Sequence, residues 1–366
     1  MDAKQATCSL DCGAVWKARR VQERRDARYK AGMAAMNLDR PAPVRDSGIS
    51  ERVSENTRPS AWTDEPMPPP TRPADEVESI GKLHLPRRTV IREAEPEPRA
   101  ALKEFPANGI LCDGDNHFPI ANPREHAAKL AFARDVKPSA WVNIGDLIDC
   151  WFLSRYTKEA GRLFGAYGAQ LQEEIDSARP YVEAMCGIVN EAHLILGNHE
   201  HRQLRMINEN PGLHGLRGLG WGRMLEYPAK LTVHPYGTRL RAFDAPLDFI
   251  HGDRVPMGVK NKAAWVLANL GNRSTIFGHG HHEHHETRTF YDENGEPVFH
   301  GAYEQGHGSI VSEQTYVTEP NWQPGFTWVE FWRDDRGKSR FSVHPILFID
   351  GRFSWNGRVY DGRKWQ

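Results

Sequence analysis

Trp141-Val142-Asn143-Ile144 is a short, largely apolar run that stops at Gly145-Asp146. A run of this kind fits a strand buried on both faces, as in a parallel sheet, and the glycine permits an abrupt turn. The turn sets a carboxylate at the strand's carboxyl end, where open α/β sheets gather their ligands. A lone Gly-Asp is commonly only a turn. Here the punctuation recurs four more times. Gly109–Cys112 runs into Asp113-Gly114-Asp115-Asn116-His117, and Ala192–Leu196 into Gly197-Asn198-His199-Glu200. Phe249-Ile250 runs into His251-Gly252-Asp253, and Ser274–Phe277 into Gly278-His279-Gly280-His281.

Helical patterns separate these runs. One is expected from Pro123 to Val136, with proline at its start and one apolar face. Another is expected from Gly168 to Asn190, broken or kinked near Pro180, and a third at Asn261–Leu270. Strands alternating with helices predict an α/β sheet. Leu231–Val233 and Leu240–Phe243 flank Pro235-Tyr236-Gly237 and predict a hairpin. The alternating tail from Phe326 to Tyr360 predicts antiparallel strands that complete a second sheet in the same domain.

The remaining chain divides by composition. Residues 1–40 hold a basic helical segment, roughly Val15 to Met36, read as a solvated or partner-binding element. Residues 41–106 are Pro-rich, with Pro66-Met67-Pro68-Pro69-Pro70 and Glu95-Pro96-Glu97-Pro98, and bury too little apolar surface to offset ordering entropy. They predict a disordered linker, and residues 107–366 the folded domain. Residues 1–105 together are a possible contact for a protein partner, and oligomeric state is left open.

The net formal charge is −1, which gives no electrostatic case for a dedicated duplex-DNA binder but leaves room for a local basic patch. Five cysteines, without a secretory signal, predict a reducing cytoplasm; Cys8 and Cys12 lack a second pair at zinc-finger spacing. No run approaches the roughly 18–20 apolar residues that cross a bilayer, so no membrane association is expected. Seventeen histidines is a high count, and they crowd between His193 and His307, where thirteen of them lie, the first sign of metal.

Neutral imidazoles and carboxylates together suit Zn, Fe or Mn, and one carboxylate can bridge two ions about 3.5–4 Å apart. Each residue also has a plainer reading. Asp115 and Asp146 could cap loops, Asn198 could form a turn, and His251 could be an ordinary buried histidine. Asp113 reads as a turn carboxylate. Arg155 and Arg202 either pair with a phosphate oxygen or form surface ion pairs. Trp151 and Phe152 read as core packing ahead of base stacking. His282, His284 and His285 read as a solvated His/Glu loop, with substrate contact and adventitious metal binding as the alternatives.

Asp115-x-His117, Gly145-Asp146-x-x-Asp149, Gly197-Asn198-His199-Glu200, His251-Gly252 and Gly278-His279-x-His281, in this order after apolar strands, resemble the calcineurin-like metallophosphoesterase superfamily. The resemblance covers roughly Gly109 to His281 and implies a two-sheet α/β/β/α sandwich. It implies two divalent ions, Mn favoured over Fe, Zn or Ni. One would be held by Asp115, His117, Asp146 and His281, the other by Asp146, Asn198, His251 and His279. It implies a hydroxide bridging the ions as nucleophile, His199 as the non-ligand histidine that protonates the leaving oxygen or steadies transition-state charge, and Asp149 orienting His199 or holding the loop.

Protein serine/threonine phosphatases of the superfamily carry Gly-Asp-x-Val-Asp-Arg-Gly at the second motif, whereas this chain has Leu147-Ile148-Asp149-Cys150-Trp151 after the Gly-Asp. The layout is similar to phosphoesterases of bacteriophages and prophages. The expectation is therefore a phosphodiesterase, nuclease or phosphatase acting on nucleotides or nucleic acid. A phosphoprotein phosphatase and a non-catalytic, metal-stapled binding module are the alternatives.

Overall fold

The central strands are buried on both faces, which is why their sequences run apolar without alternation. This computed structural model describes residues 98–154, 167–214, 216–256, 258–270, 273–292, 294–314 and 319–364. The basic helix expected at 15–36, nearly all of the Pro-rich segment and Arg155 lie outside those residues. β1 (Arg99–Ala101) falls within the span read as linker, so strand structure begins ahead of Gly109. It is followed by β2 (Ile110–Asp113), β3 (Ala140–Asn143), β4 (Glu191–Ile195) and β5 (Leu231–His234). Next come β6 (Arg239–Arg241), β7 (Leu247–Ile250), β8 (Ser274–Phe277), β9 (His284–Tyr291) and β10 (Pro297–Glu304). β11 (Gly325–Arg333), β12 (Ser339–Leu347), β13 (Arg352–Trp355) and β14 (Arg358–Asp361) follow. The helices are α1 (Pro123–Val136), α2 (Tyr167–Ile188), α3 (Asn198–Glu209), the single turn α4 (Trp221–Met224) and α5 (Lys262–Asn269).

Two six-stranded sheets form, ordered β12-β11-β2-β3-β4-β5 and β1-β6-β7-β8-β10-β9. The strand period of two sorts side chains into layers. Ile110, Cys112, Val142 and Ile144 meet Leu247, Phe249 and Ile276 between the sheets. Leu111, Trp141 and Leu194 point the other way, against Ile175, Tyr181 and Val182 of α2 and Ala128 and Phe132 of α1. Ile250 and Phe277 pack on Ala263, Val266 and Leu267 of α5. The result is an α/β/β/α sandwich.

Four expectations are corrected. β5 pairs with β4 while β6 pairs with β7, so Pro235–Gly237 crosses between sheets and is no hairpin. The terminal strands β11 and β12 do not build the second sheet; β11 runs antiparallel to β2 and extends the first. α2 runs through Pro180 without a break. His284 and His285 open a regular strand, β9, hydrogen-bonded along its length to β10. Alternation reveals a strand but not its partner, and a mostly exposed edge such as β9 lacks even the alternation.

Asp113 is no turn residue either. It is fully buried at the end of β2 and accepts from Lys129 Nζ (2.6 Å), Tyr181 OH (2.6 Å), Trp141 Nε1 (2.7 Å) and Asn143 Nδ2 (3.1 Å). Burial would raise its pKa, but the Lys129 charge and these donors hold it below the carboxylate range. Asn143 also donates to Asn116 Oδ1 (2.7 Å), which ties the network to the loop carrying Asp115 and His117.

His126 of α1 lies beside this network, its Nδ1 2.9 Å from the Asn122 carbonyl and its Nε2 2.9 Å from Asn116 Nδ2. The carbonyl only accepts, so Nδ1 carries the proton and the ring is neutral. Burial and then the Lys129 charge push its pKa down to about 3. Below the ordinary value near 6.5 the unfolded chain takes up this proton and the folded one does not. Stability is therefore full above that pH and falls as pH drops toward 3, by about 1.4 kcal/mol per unit from this residue. Urea midpoints between pH 7 and 5 are expected to fall, and His126→Gln to flatten the slope by one proton; an unchanged slope refutes the assignment.

Candidate metal centre

The five motifs meet at the carboxyl ends of parallel strands: β2, β3 and β4 of one sheet, β7 and β8 of the other. Main-chain bonds hold the first two loops side by side. Asp115 N donates to Gly145 O (2.9 Å) and His117 N to Asp146 O (2.9 Å). Asp115, His117, Asp146, His279 and His281 all adopt left-handed backbone, with φ of 49°, 52°, 49°, 68° and 61°. Each such residue costs about 1–3 kcal/mol, and strain of this kind persists where surroundings over-determine it, typically at functional sites.

The side chains converge in three groups, Asp115–His117–His281, His117–Asp149–His199 and Asp146–His251–His279, with ligand atoms in each within 4.8 Å of one another. His117 Nε2 and His281 Nε2 face each other at 3.2 Å, and Asp115 Oδ1 lies 3.5 Å from His281 Nε2. Asn198 Oδ1 is 2.8 Å and Asp146 Oδ1 3.6 Å from His251 Nε2. His251 Nδ1 must donate to the Ile144 carbonyl (2.9 Å), so its Nε2 presents a lone pair to those two oxygens unless a second proton sits there. Asp115 Oδ1 is buried and has no hydrogen-bond partner among the described residues. Lone pairs converging on shared points, with a buried carboxylate oxygen unsatisfied, are what a divalent cation repairs, so the donor set fits metal. Burial would raise Asp115, yet the facing His281 and His251 rings hold it down at about 2. Asp146 is lowered as well: burial opposes it, and His199, His251, His117 and His279 surround it.

Motif order and strand-end placement within this sandwich decide the architecture. The chain folds as an α/β/β/α sandwich that carries all five motifs at strand ends.

No family model matches the sequence. The chain is 24% identical over 264 residues to the Gene 54 protein of Mycobacterium phage D29, a match covering 69% of this chain and 98% of that protein. A single mutant of Vps29 from Entamoeba histolytica covers 69% of this chain and 98% of its own, at 15% identity and a TM-score of 0.33. Vps29 from Chaetomium thermophilum covers 67% and 98%, at 13% and 0.30. The nuclease MPE of Pseudomonas putida covers 70% and 93%, at 14% and 0.23.

Within this sandwich the glycines have separate tasks. Gly145 adopts φ 109°, a region that disfavours side chains, and its backbone packs on Gly197. Gly197 is extended, and a Cβ there would overlap the Asp146 carboxylate. Glu200 then braces both motifs. It sits at the third position of α3 and accepts from Gly197 N (2.8 Å), Ile148 N (2.9 Å) and Asp146 N (3.1 Å). Sequence reading assigned Glu200 no role, although its capping-box spacing was visible. His307, buried with Nε2 unpartnered and its ring 5.5 Å from that of His281, was also passed over. No motif marks it.

Asp149 stands between two histidines, Oδ1 3.3 Å from His117 Nδ1 and 3.1 Å from His199 Nδ1. His199 Nδ1 is also 2.6 Å from the Asp149 carbonyl, and its Nε2 is 3.8 Å from Asp146 Oδ2. Among the described residues Arg202 makes no ion pair. Its Nη1 donates to the Asp149 carbonyl (2.9 Å) and its Nη2 lies 2.9 Å from His199 Nε2. Burial lowers the His199 imidazolium, but Asp146 and Asp149 outweigh it and pull the ring up to about 9. Arg202 only donates, so the observed contact requires the neutral ring with Nε2 accepting. The bond geometry decides for this arrangement, and protonating Nε2 requires the guanidinium to turn away.

His282 is 3.3 Å from Glu304 Oε1, which also takes Lys262 Nζ at 3.1 Å; it is no solvated loop residue. His284 and His285 are exposed on β9. Trp151 and Phe152 are half-buried in a short 3-10 turn, Trp151–Leu153, and do not enter the core clusters. Cys112, Cys150 and Cys186 are free and buried. Among the described residues no helix is long and apolar enough to cross a membrane.

Proposed function

We propose that this chain is a metal-dependent phosphoesterase that hydrolyses phosphodiesters of nucleotides or nucleic acid. The observation that carries the reading is the pair of His/carboxylate groups at four strand ends, with His199 and Asp149 beside them. Asp115, His117, Asp146 and His281 would hold one divalent ion, and Asp146, Asn198, His251 and His279 the second, with Mn favoured. Such ions supply Lewis acidity at a phosphoryl oxygen and bring water's pKa toward neutrality. The chain's own groups do the rest. Asp149 holds the His199 ring through Nδ1, leaving Nε2 as the edge from which a proton passes to the leaving oxygen. Arg202, at Nε2, sets when that edge is free. The match to a mycobacteriophage protein supports a phage-type enzyme, and the missing Arg-Gly after Asp149 favours diesters over phosphoproteins.

His199→Ala is expected to fold and keep its metal content while turnover of bis-p-nitrophenyl phosphate falls by roughly 10²–10⁴. Metal-stripped protein should be inactive and recover with Mn²⁺. Full activity in the alanine variant overturns the role of His199, and turnover without metal overturns the reading as a whole.

A further inference from the structure

On the outer face of the second sheet, a cleft of about 740 Å³ runs beside α5. Five arginines line it, Arg99, Arg239, Arg241, Arg254 and Arg273, against one carboxylate, Asp248. Asp248 is fully buried and committed: Arg239 Nη1 lies 3.1 Å from one of its oxygens and Arg273 Nε 2.9 Å from the other. The acid therefore fixes two guanidinium groups, and among the described lining residues Arg99 and Arg241 add further positive charge. Register puts Arg99 opposite Arg239 and Ala101 opposite Arg241 on neighbouring strands, and Arg99, Arg241 and Arg254 are exposed. A chain of near-zero net charge has thus concentrated positive charge in one concave place.

We infer that this cleft binds the phosphodiester backbone of a single nucleic-acid strand. Guanidinium forks match phosphate oxygens bidentately, and a row of them outcompetes counterions along a polyanion. Among the described residues no aromatic ring lines the cleft, so the lining favours recognition of backbone over base. Its position suits a substrate track. Arg254 follows His251 by three residues on the loop leaving β7, while Arg273 precedes β8, so the cleft's lining runs from the residue before β8 to the loop that carries His251. Four residues of strand are roughly 13 Å. A carboxylate-rich peptide is the competing ligand class; the fork geometry and strand-length row favour phosphates.

The inference deepens the phosphodiesterase reading, but its test does not need turnover. Anisotropy of a fluorescein-labelled oligothymidylate is measured with full-length protein in EDTA across a salt series. Arg99→Glu/Arg241→Glu is expected to weaken binding at least about tenfold and to reduce the log–log salt slope by about one for each arginine. Turnover of bis-p-nitrophenyl phosphate by the loaded variant should be unchanged, since neither residue belongs to the metal centre. Oligonucleotide binding indifferent to the double substitution overturns the cleft while leaving the phosphoesterase reading intact. Binding of poly-glutamate that the substitution abolishes, with the oligonucleotide unbound, assigns the cleft to a protein partner and overturns the inference. Loss of oligonucleotide binding in a chain with no turnover on any diester retains the cleft and removes the enzyme.

Discussion

Asp146→Asn is expected to lower turnover of bis-p-nitrophenyl phosphate by at least about a thousandfold, equivalent to about 4 kcal/mol at the barrier. Asp146 lies between histidines of two clusters: its oxygens are 3.6 Å from His251 Nε2 and 3.8 Å from His199 Nε2, and Oδ1 also accepts from His199 N at 2.8 Å. Asparagine keeps the shape and removes the charge that would be shared between two cations. Metal content by mass spectrometry should drop with activity while circular dichroism stays unchanged. A variant that retains both ions and full turnover would show that Asp146 is a loop residue. The ratio of diester to monoester turnover in the wild type, read in the same assay, separates a phosphodiesterase from a phosphatase.

The second large effect is on stability. Lys129→Met should destabilise the fold by about 3–5 kcal/mol, because it strands the Asp113 carboxylate in the core without its cation. The three remaining donors, Tyr181, Trp141 and Asn143, satisfy hydrogen bonds but not charge. For a domain of this size that corresponds to a melting temperature lower by on the order of 10 °C. Adding Asp113→Asn should recover most of the loss, since the buried charge is then gone from both sides. Equal stability of Lys129→Met and wild type would mean that Asp113 is protonated in the native protein.

The site was more legible in the sequence than the fold. Asp115, His117, Asp146, Asn198, His251, His279 and His281 each follow an apolar run within a few residues, and local chemistry at a strand end survives any error about sheet order. The errors of strand pairing were non-local. Leu231–Val233 and Leu240–Phe243 have strand composition, but nothing local says that one edges the first sheet and the other enters the second. The tail strands alternate as expected, yet their partner, β2, lies more than 200 residues upstream. Asp113 differs from Asp115 only in its surroundings, which α1 and α2 bring from far along the chain. The arginine cleft was invisible because its members are scattered from 99 to 273 and a net charge of −1 averages them away.

The crossover at Pro235–Gly237 has a consequence for how metal and folding are tied. Asp115, His117, Asp146 and Asn198 leave strands of one sheet, while His251, His279 and His281 leave strands of the other. Each proposed ion therefore draws ligands from both halves of the sandwich, and neither half alone holds a full set. Cations that bind there act as a clasp across the two layers. Their release is coupled to parting of the sheets rather than to fraying of one loop, and a chain still folding presents no finished site for an ion to occupy.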